Sequence, residues 1–236
     1  MAKNYWLGTT DGDWNTATNW SLGTVPVGTN EVVVPKDATV AILGYDASAA
    51  EMASFIVEDG CSIQIGGGST GIPLTLDVAD AGDISIGTTA RAFLDGTLKL
   101  LTISGGAKKV VIPETATITT LTMTNKSAAQ IDTAITTANL SDGSKLTYGI
   151  AGSTTAIIGT ATIVGTGSTI LYNSTGKITA CTCRDGGKLD GSGDSRSTTI
   201  ETFTLYGGGA ALIDPNLRFT LSNGIVLAQG TTVTGK

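Results

Sequence analysis

Residues 178–205, ITACTCRDGGKLDGSGDSRSTTIETFTL, carry one apolar pattern twice. Written as Φ-x-x-Φ-x-Φ, it fits Ile178/Cys181/Cys183 and then Ile200/Phe203/Leu205. Read outward toward the N-terminus, the same triplet recurs at Ile158/Ala161/Ile163, Ile135/Ala138/Leu140, Ile118/Leu121/Met123 and Leu98/Leu101/Ile103. Successive copies start 20, 17, 23, 20 and 22 residues apart, and an earlier one fits Met52/Phe55/Val57. Between that copy and Leu98, residues 73–87 (PLTLDVADAGDISIG) alternate apolar and polar without the full triplet.

Each triplet is followed by a turn rich in Gly, Asp, Ser or Asn: SGGAKK, TNKSAA, SDGSK, GTGS, RDGGK and YGGGAA. A further apolar residue then follows, at Val110, Ile131, Leu146, Ile170, Leu189 and Leu212. One unit therefore reads as strand, turn, strand, turn. A strand of four to six residues with one apolar face cannot bury that face alone. Coiling the chain at about 20 residues per turn lays each strand beside its predecessor in parallel, so that the inward side chains stack into one continuous core. Gly and Asn at the corners supply left-handed backbone. A β-sandwich gives the same alternation but no reason for triplets to recur at this period. The pattern predicts an all-β fold, a parallel β-helix (solenoid) of about eight coils. Residues 46–54 (DASAAEMAS) read either as one short turn of helix or as a strand entering the first coil.

Composition narrows the function. Apolar residues make up 41%, charged residues 14% and aromatics 5%, with 32 glycines. Low charge with this much apolar content argues against disorder. The net charge of −6 leaves Lys108-Lys109 as the largest basic cluster, which speaks against a nucleic-acid partner. There is no histidine, the commonest general base and metal ligand. Nothing after Lys3 reads as a secretory signal, and no stretch nears the length of a membrane span, so synthesis in a cytoplasm and no membrane partner are expected. Cys181 and Cys183 stand two apart on a strand and read as small core residues rather than as a metal site.

All three tryptophans, Trp6, Trp14 and Trp20, lie in the first twenty residues. The end of a solenoid exposes apolar core and unpaired strand edge, so terminal units act as caps. Residues 1–35 are therefore expected to form a Trp- and Pro-rich cap or arm, including Pro26, ahead of a solenoid body at 36–236. The other reading of the indoles is a platform for sugar rings.

The string Tyr5-Trp6, Gly8, Gly12, Trp14, Ala17, Asn19-Trp20-Ser21, Gly23, Pro26 and Val32 to Pro35 resembles an opening motif of β-solenoid proteins, found in bacterial surface adhesins and in small structural proteins of tailed bacteriophages. Residues 52–78 are similar to the first coils of such phage proteins. The resemblance covers about the first third of the chain. It implies a virion structural protein, most simply a head decoration (cement) protein that binds the major capsid protein or another virion protein. Such a protein works on the capsid surface, with a trimer favoured.

An enzyme is not expected. A glycosidase needs two carboxylates held roughly 5–10 Å apart. The most acidic loop offers Asp185, Asp190 and Asp194 beside Arg184 and Arg196, which reads as a solvated turn. It lacks calcium-loop spacing. Residues 61–70 (CSIQIGGGST) lack the Lys-Ser/Thr of a phosphate loop. No cofactor and no metal are expected. The alternatives are a carbohydrate-binding adhesin or tail-fibre module and, behind it, a small polysaccharide depolymerase.

Overall fold

The computed structural model describes residues 1–9, 11–67, 71–79, 82–88, 91–106, 109–149, 156–191, 198–213, 219–221, 225–227 and 232–235. The chain is an all-β parallel β-solenoid of about eight coils, about 20 residues apart. Most coils give one strand to each of two parallel sheets; Gln64–Ile65 and Leu74–Asp77 both pair with Arg91–Thr97, and Phe219–Leu221 and Ile225–Leu227 both pair with Thr198–Leu205. The chain divides into two compact units, Met1–Thr119 and Thr120–Lys236, and the strand Ile118–Met123 spans the boundary.

In the first unit, one sheet runs through Lys3–Tyr5, Glu31–Val34, Ser54–Cys61, Asp83–Thr88 and Leu100–Ser104, every pair parallel. The register stacks Val32, Phe55, Ile84 and Leu101 in one column and Val34, Val57, Ile86 and Ile103 in the next, all buried. The facing sheet runs through Tyr45–Asp46, Leu74–Asp77, Arg91–Thr97 and Lys109–Ile112. The N-terminal segment is thus stitched into the coils: Glu31–Val34 pairs with Lys3–Tyr5 on one side and Ser54–Cys61 on the other.

In the second unit the triplets stack as their spacing requires. Ile135, Ile158, Ile178 and Ile200 form one column, Ala138, Ala161, Cys181 and Phe203 the second, and Leu140, Ile163, Cys183 and Leu205 the third. All twelve are buried. The paired outward residues inside each triplet, such as Thr136-Thr137, bend the strand so that both flanking apolar residues face the core. In the facing sheet the apolar period alone leaves two registers open. Leu189 is in register with Ala211, which sets Leu212 against Asp190. Ile131 stands in the column of Tyr148 and Tyr172, while Ala129 precedes Leu146, Ile170 and Leu189.

A ladder of tight turns sets the second unit's corner. The N–H of the fourth residue donates to the C=O of the first at Thr124–Ser127, Ser141–Ser144, Arg184–Gly187 and Tyr206–Gly209, at 2.8–3.2 Å. Their central pairs, Asn125-Lys126, Asp142-Gly143, Asp185-Gly186 and Gly207-Gly208, all have positive φ. This is the mirror-image turn whose twist suits flanking strands and which favours Asn-Gly and Asp-Gly.

The only helical element among the described residues is a 3-10 turn, Ala17–Asn19. Residues 46–54 are not helical: Asp46 accepts hydrogen bonds from the Ser48 N–H (3.1 Å) and Oγ (2.5 Å), making a side-chain turn that leads into Ser54–Cys61. Those bonds also hold the Asp46 carboxyl below its ordinary pKa. No described helix is long and apolar enough to cross a membrane.

Candidate partner interface at the N-terminal end

The first strand, Lys3–Tyr5, raises the usual problem of a sheet edge. Its inner side pairs with Glu31–Val34, leaving the backbone of Lys3 and Tyr5 facing outward. Ser21 covers Tyr5: its N–H donates to the Tyr5 C=O at 3.0 Å, and the Tyr5 N–H donates to its Oγ at 2.9 Å. Leu7 N–H donates to the Asn19 C=O at 2.8 Å. On the facing side, Leu43 N–H donates to the Gly12 C=O, also at 2.8 Å. At the open end of the strand, Lys3 Nζ lies 2.9 Å from Glu31 Oε1, a hydrogen bond that raises the lysine pKa.

Beneath this covering layer the three indoles meet. Trp6 and Trp20 pack edge to face at 5.0 Å between ring centroids, and Trp14 and Trp20 at 4.6 Å. Trp14 continues to Phe55, 6.3 Å away in the third strand of the sheet. Trp20 Nε1 donates to the Trp14 C=O at 2.7 Å, and Trp6 Nε1 to the Val40 C=O at 3.0 Å. Each indole is 1% exposed. Gly8 permits this approach: its φ is +55°, and a Cβ there would fall 2.7 Å from Val40 Cβ. Pro26 is buried as well, outside these ring contacts.

Buried asparagines fix the loop. Asn4 Nδ2 donates to the Thr24 C=O, and Asn4 Oδ1 accepts from the Leu22 N–H. Asn19 Nδ2 donates to Asp11 Oδ1 and to the Asp13 C=O. Asn30 Oδ1 accepts from the Val27 N–H. With their polar groups satisfied, these side chains hold the chain's path at little cost.

The structure therefore brings Trp6, Trp14 and Trp20 together and buries them. What it displays are their neighbours. Among the side chains described within residues 1–210, the exposed large apolar ones are Met1, Tyr5, Leu7, Leu22, Val27, Leu43 and Ile72, with only Ile157 and Tyr206 beyond them. Sequence reasoning followed the tryptophans and missed this set. The signal was present in the alternation around Trp6, since strand geometry sends Tyr5 and Leu7 to the side opposite the indole.

Cys181 and Cys183 lie in the core columns, and the hydrogen bond with Cys183, followed by burial, pushes the Cys181 thiol up. Asp185 occupies a left-handed turn position, and Asp190 Oδ2 pairs with Lys188 Nζ at 2.6 Å. Asp194, Arg196 and Lys108 lie outside the described residues. No cluster of three potential metal-ligating side chains occurs among the described residues. Compared with protein-family models, curated proteins and solved structures, the chain matches none.

Proposed function

We propose that this chain is a virion structural protein, a capsid decoration (cement) protein that docks on the assembled head through its N-terminal end. The observation that carries the reading is the concentration of exposed apolar side chains around the buried indoles. Tyr5, Leu7 and Leu43 stand on backbone held by the hydrogen bonds that cover the strand edges, and the Leu22 N–H is held by Asn4 Oδ1. Isolated exposed apolar residues need no explanation, but a group on one structured end marks an interaction surface. A partner surface with apolar sockets would bury them at the centre of an interface, where aromatic and aliphatic side chains carry most of the binding. The tryptophans are the rigid backing of this surface and the cap of the coil. The opening motif's resemblance to phage β-solenoid proteins supplies the choice of partner, the major capsid protein, and of a trimeric state.

A glycan platform built on the indoles has the burial against it, because stacking on a sugar requires an open ring face and none of the three has one. Immunogold labelling of native particles with antibody to this chain tests the decoration role. Label spaced regularly over an icosahedral head is the expected result. Label confined to a tail tip or a cell surface overturns it.

A further inference from the structure

The second unit carries a shallow groove of about 320 Å³ on the outward face of its Lys145–Tyr148, Thr169–Tyr172 and Lys188–Asp190 strands. The register explains its shape. Lys145, Thr169 and Lys188 form one outward column, and Thr147, Leu171 and Asp190 the next. A short threonine therefore sits between two lysines whose strands are roughly 9–10 Å apart, two strand spacings. The long side chains stand as walls, with Thr169 and the half-buried Leu171 as floor.

The charges are not equivalent. Lys188 Nζ is already held by Asp190 Oδ2 at 2.6 Å, whereas among the described residues no carboxylate pairs with Lys145. The groove thus offers a free cation at one end, a carboxylate acceptor at the other, two threonine hydroxyls between them and an apolar floor. With Asp190 offset by Lys188, a bare phosphate or sulfate would meet Lys145 but leave the threonine hydroxyls, the Leu171 floor and the Asp190 acceptor unused. A ligand fitting both ends carries an anion on one side and hydroxyl donors on the other, joined by a body with an apolar face. The volume is at the small end for ligand sites and suits one ring.

We propose that this groove binds a uronic-acid unit of an acidic polysaccharide. Its carboxylate meets Lys145 Nζ, its C–H face lies on Leu171, and its hydroxyls bond to Thr147, Thr169 and Asp190. The site is independent of the N-terminal surface and of the docking role.

Titration of the full-length, isotope-labelled protein with tri-galacturonate at millimolar concentration, followed by amide NMR, tests it. Saturable shifts at Thr147, Thr169 and Leu171 are expected, absent with the fully methyl-esterified trisaccharide. K145A should weaken binding at least about tenfold, the loss of one charge-assisted contact. T169V, which keeps the side chain's shape, should weaken it less, and the remaining spectrum of both variants should be unchanged. No shifts, shifts that survive K145A, or equal shifts with inorganic phosphate or hexaglutamate would overturn the proposal. Binding of the chain to particles is unaffected by K145A whichever result is obtained, so the two readings fail separately.

Discussion

Removing the indole of Trp20 tests whether the N-terminal cluster holds the first coils together. Trp20 is the middle ring of the three, touching Trp6 and Trp14 edge to face, and is 1% exposed. Truncating a buried tryptophan to alanine costs about 3–5 kcal/mol from lost burial and the residual cavity. The Trp14 carbonyl also loses its 2.7 Å donor inside the core, and an unsatisfied buried acceptor costs about 1–3 kcal/mol. W20A should therefore fall near the top of the range, about 5 kcal/mol. W20F restores a ring but not the donor and should lose about 2–3 kcal/mol. Urea unfolding followed by far-UV circular dichroism reads the loss. Hydrogen exchange of peptides from residues 1–119 locates it, because the strands beside the cluster, Lys3–Tyr5, Glu31–Val34 and Ser54–Cys61, should lose protection first. Y206A, at an exposed site, is the control and should change stability by no more than about 0.5 kcal/mol. A loss below about 1 kcal/mol for W20A, or protection unchanged in those strands, would refute the capping argument.

Four further outcomes follow from the geometry. L7D and L43D place charges on the exposed apolar surface; each should abolish binding to purified heads in a co-sedimentation assay while leaving the thermal midpoint within a few degrees of wild type. K126G replaces a lysine held at φ 58° by the residue its mirror-image turn prefers and should stabilise by about 1 kcal/mol in urea unfolding. G96A should destabilise by about 3 kcal/mol or more in the same assay, since Gly96 has φ +91° and a Cβ there would lie 2.1 Å from the Leu76 carbonyl oxygen. Burial, then the neighbouring Tyr172 and Asp132, raises the Tyr148 pKa far above its ordinary 10.0. The unfolded chain therefore releases that proton first: the contribution is complete below pH 10 and falls by about 1.4 kcal/mol per unit as pH rises above it. Stability measured from pH 8 to pH 11 should show a shallower alkaline decline in Y148F, although that variant starts lower because the phenol donates to the Thr133 and Ile157 carbonyls.

The triplets were legible because a solenoid repeats one burial problem in every coil. Ile135, Ile158, Ile178 and Ile200 occupy equivalent places, so the period of the apolar residues is the register of the sheet. The facing sheet was less legible, since its strands are short and one apolar residue fixes little. Leu189 and Leu212 each follow a turn, and the register pairs Leu189 with Ala211 and sets Leu212 against Asp190. Ala129 precedes Leu146, while Ile131 belongs with Tyr148 and Tyr172, whose rings stack at 5.3 Å. Aromatic stacking and hydroxyl bonds, which no apolar period encodes, position those two residues.

The N-terminal end shows a different limit. Three tryptophans in twenty residues read as a cap, with a sugar platform as the other reading, because a large side chain carries the same signal whether it faces a partner or the core. Trp6 is decided by its neighbours: with Gly8 leaving room against Val40 and the indole N–H donating to the Val40 carbonyl, the ring turns inward. Strand alternation then sends Tyr5 and Leu7 outward. Burying the most conspicuous residues thus creates the exposed surface beside them. A substitution that disturbs Trp6 should damage that surface indirectly, whereas L7D removes it with the cap intact. Comparing W6F with L7D for head binding and for stability separates the two roles: L7D should lose binding alone, and W6F should lose stability first.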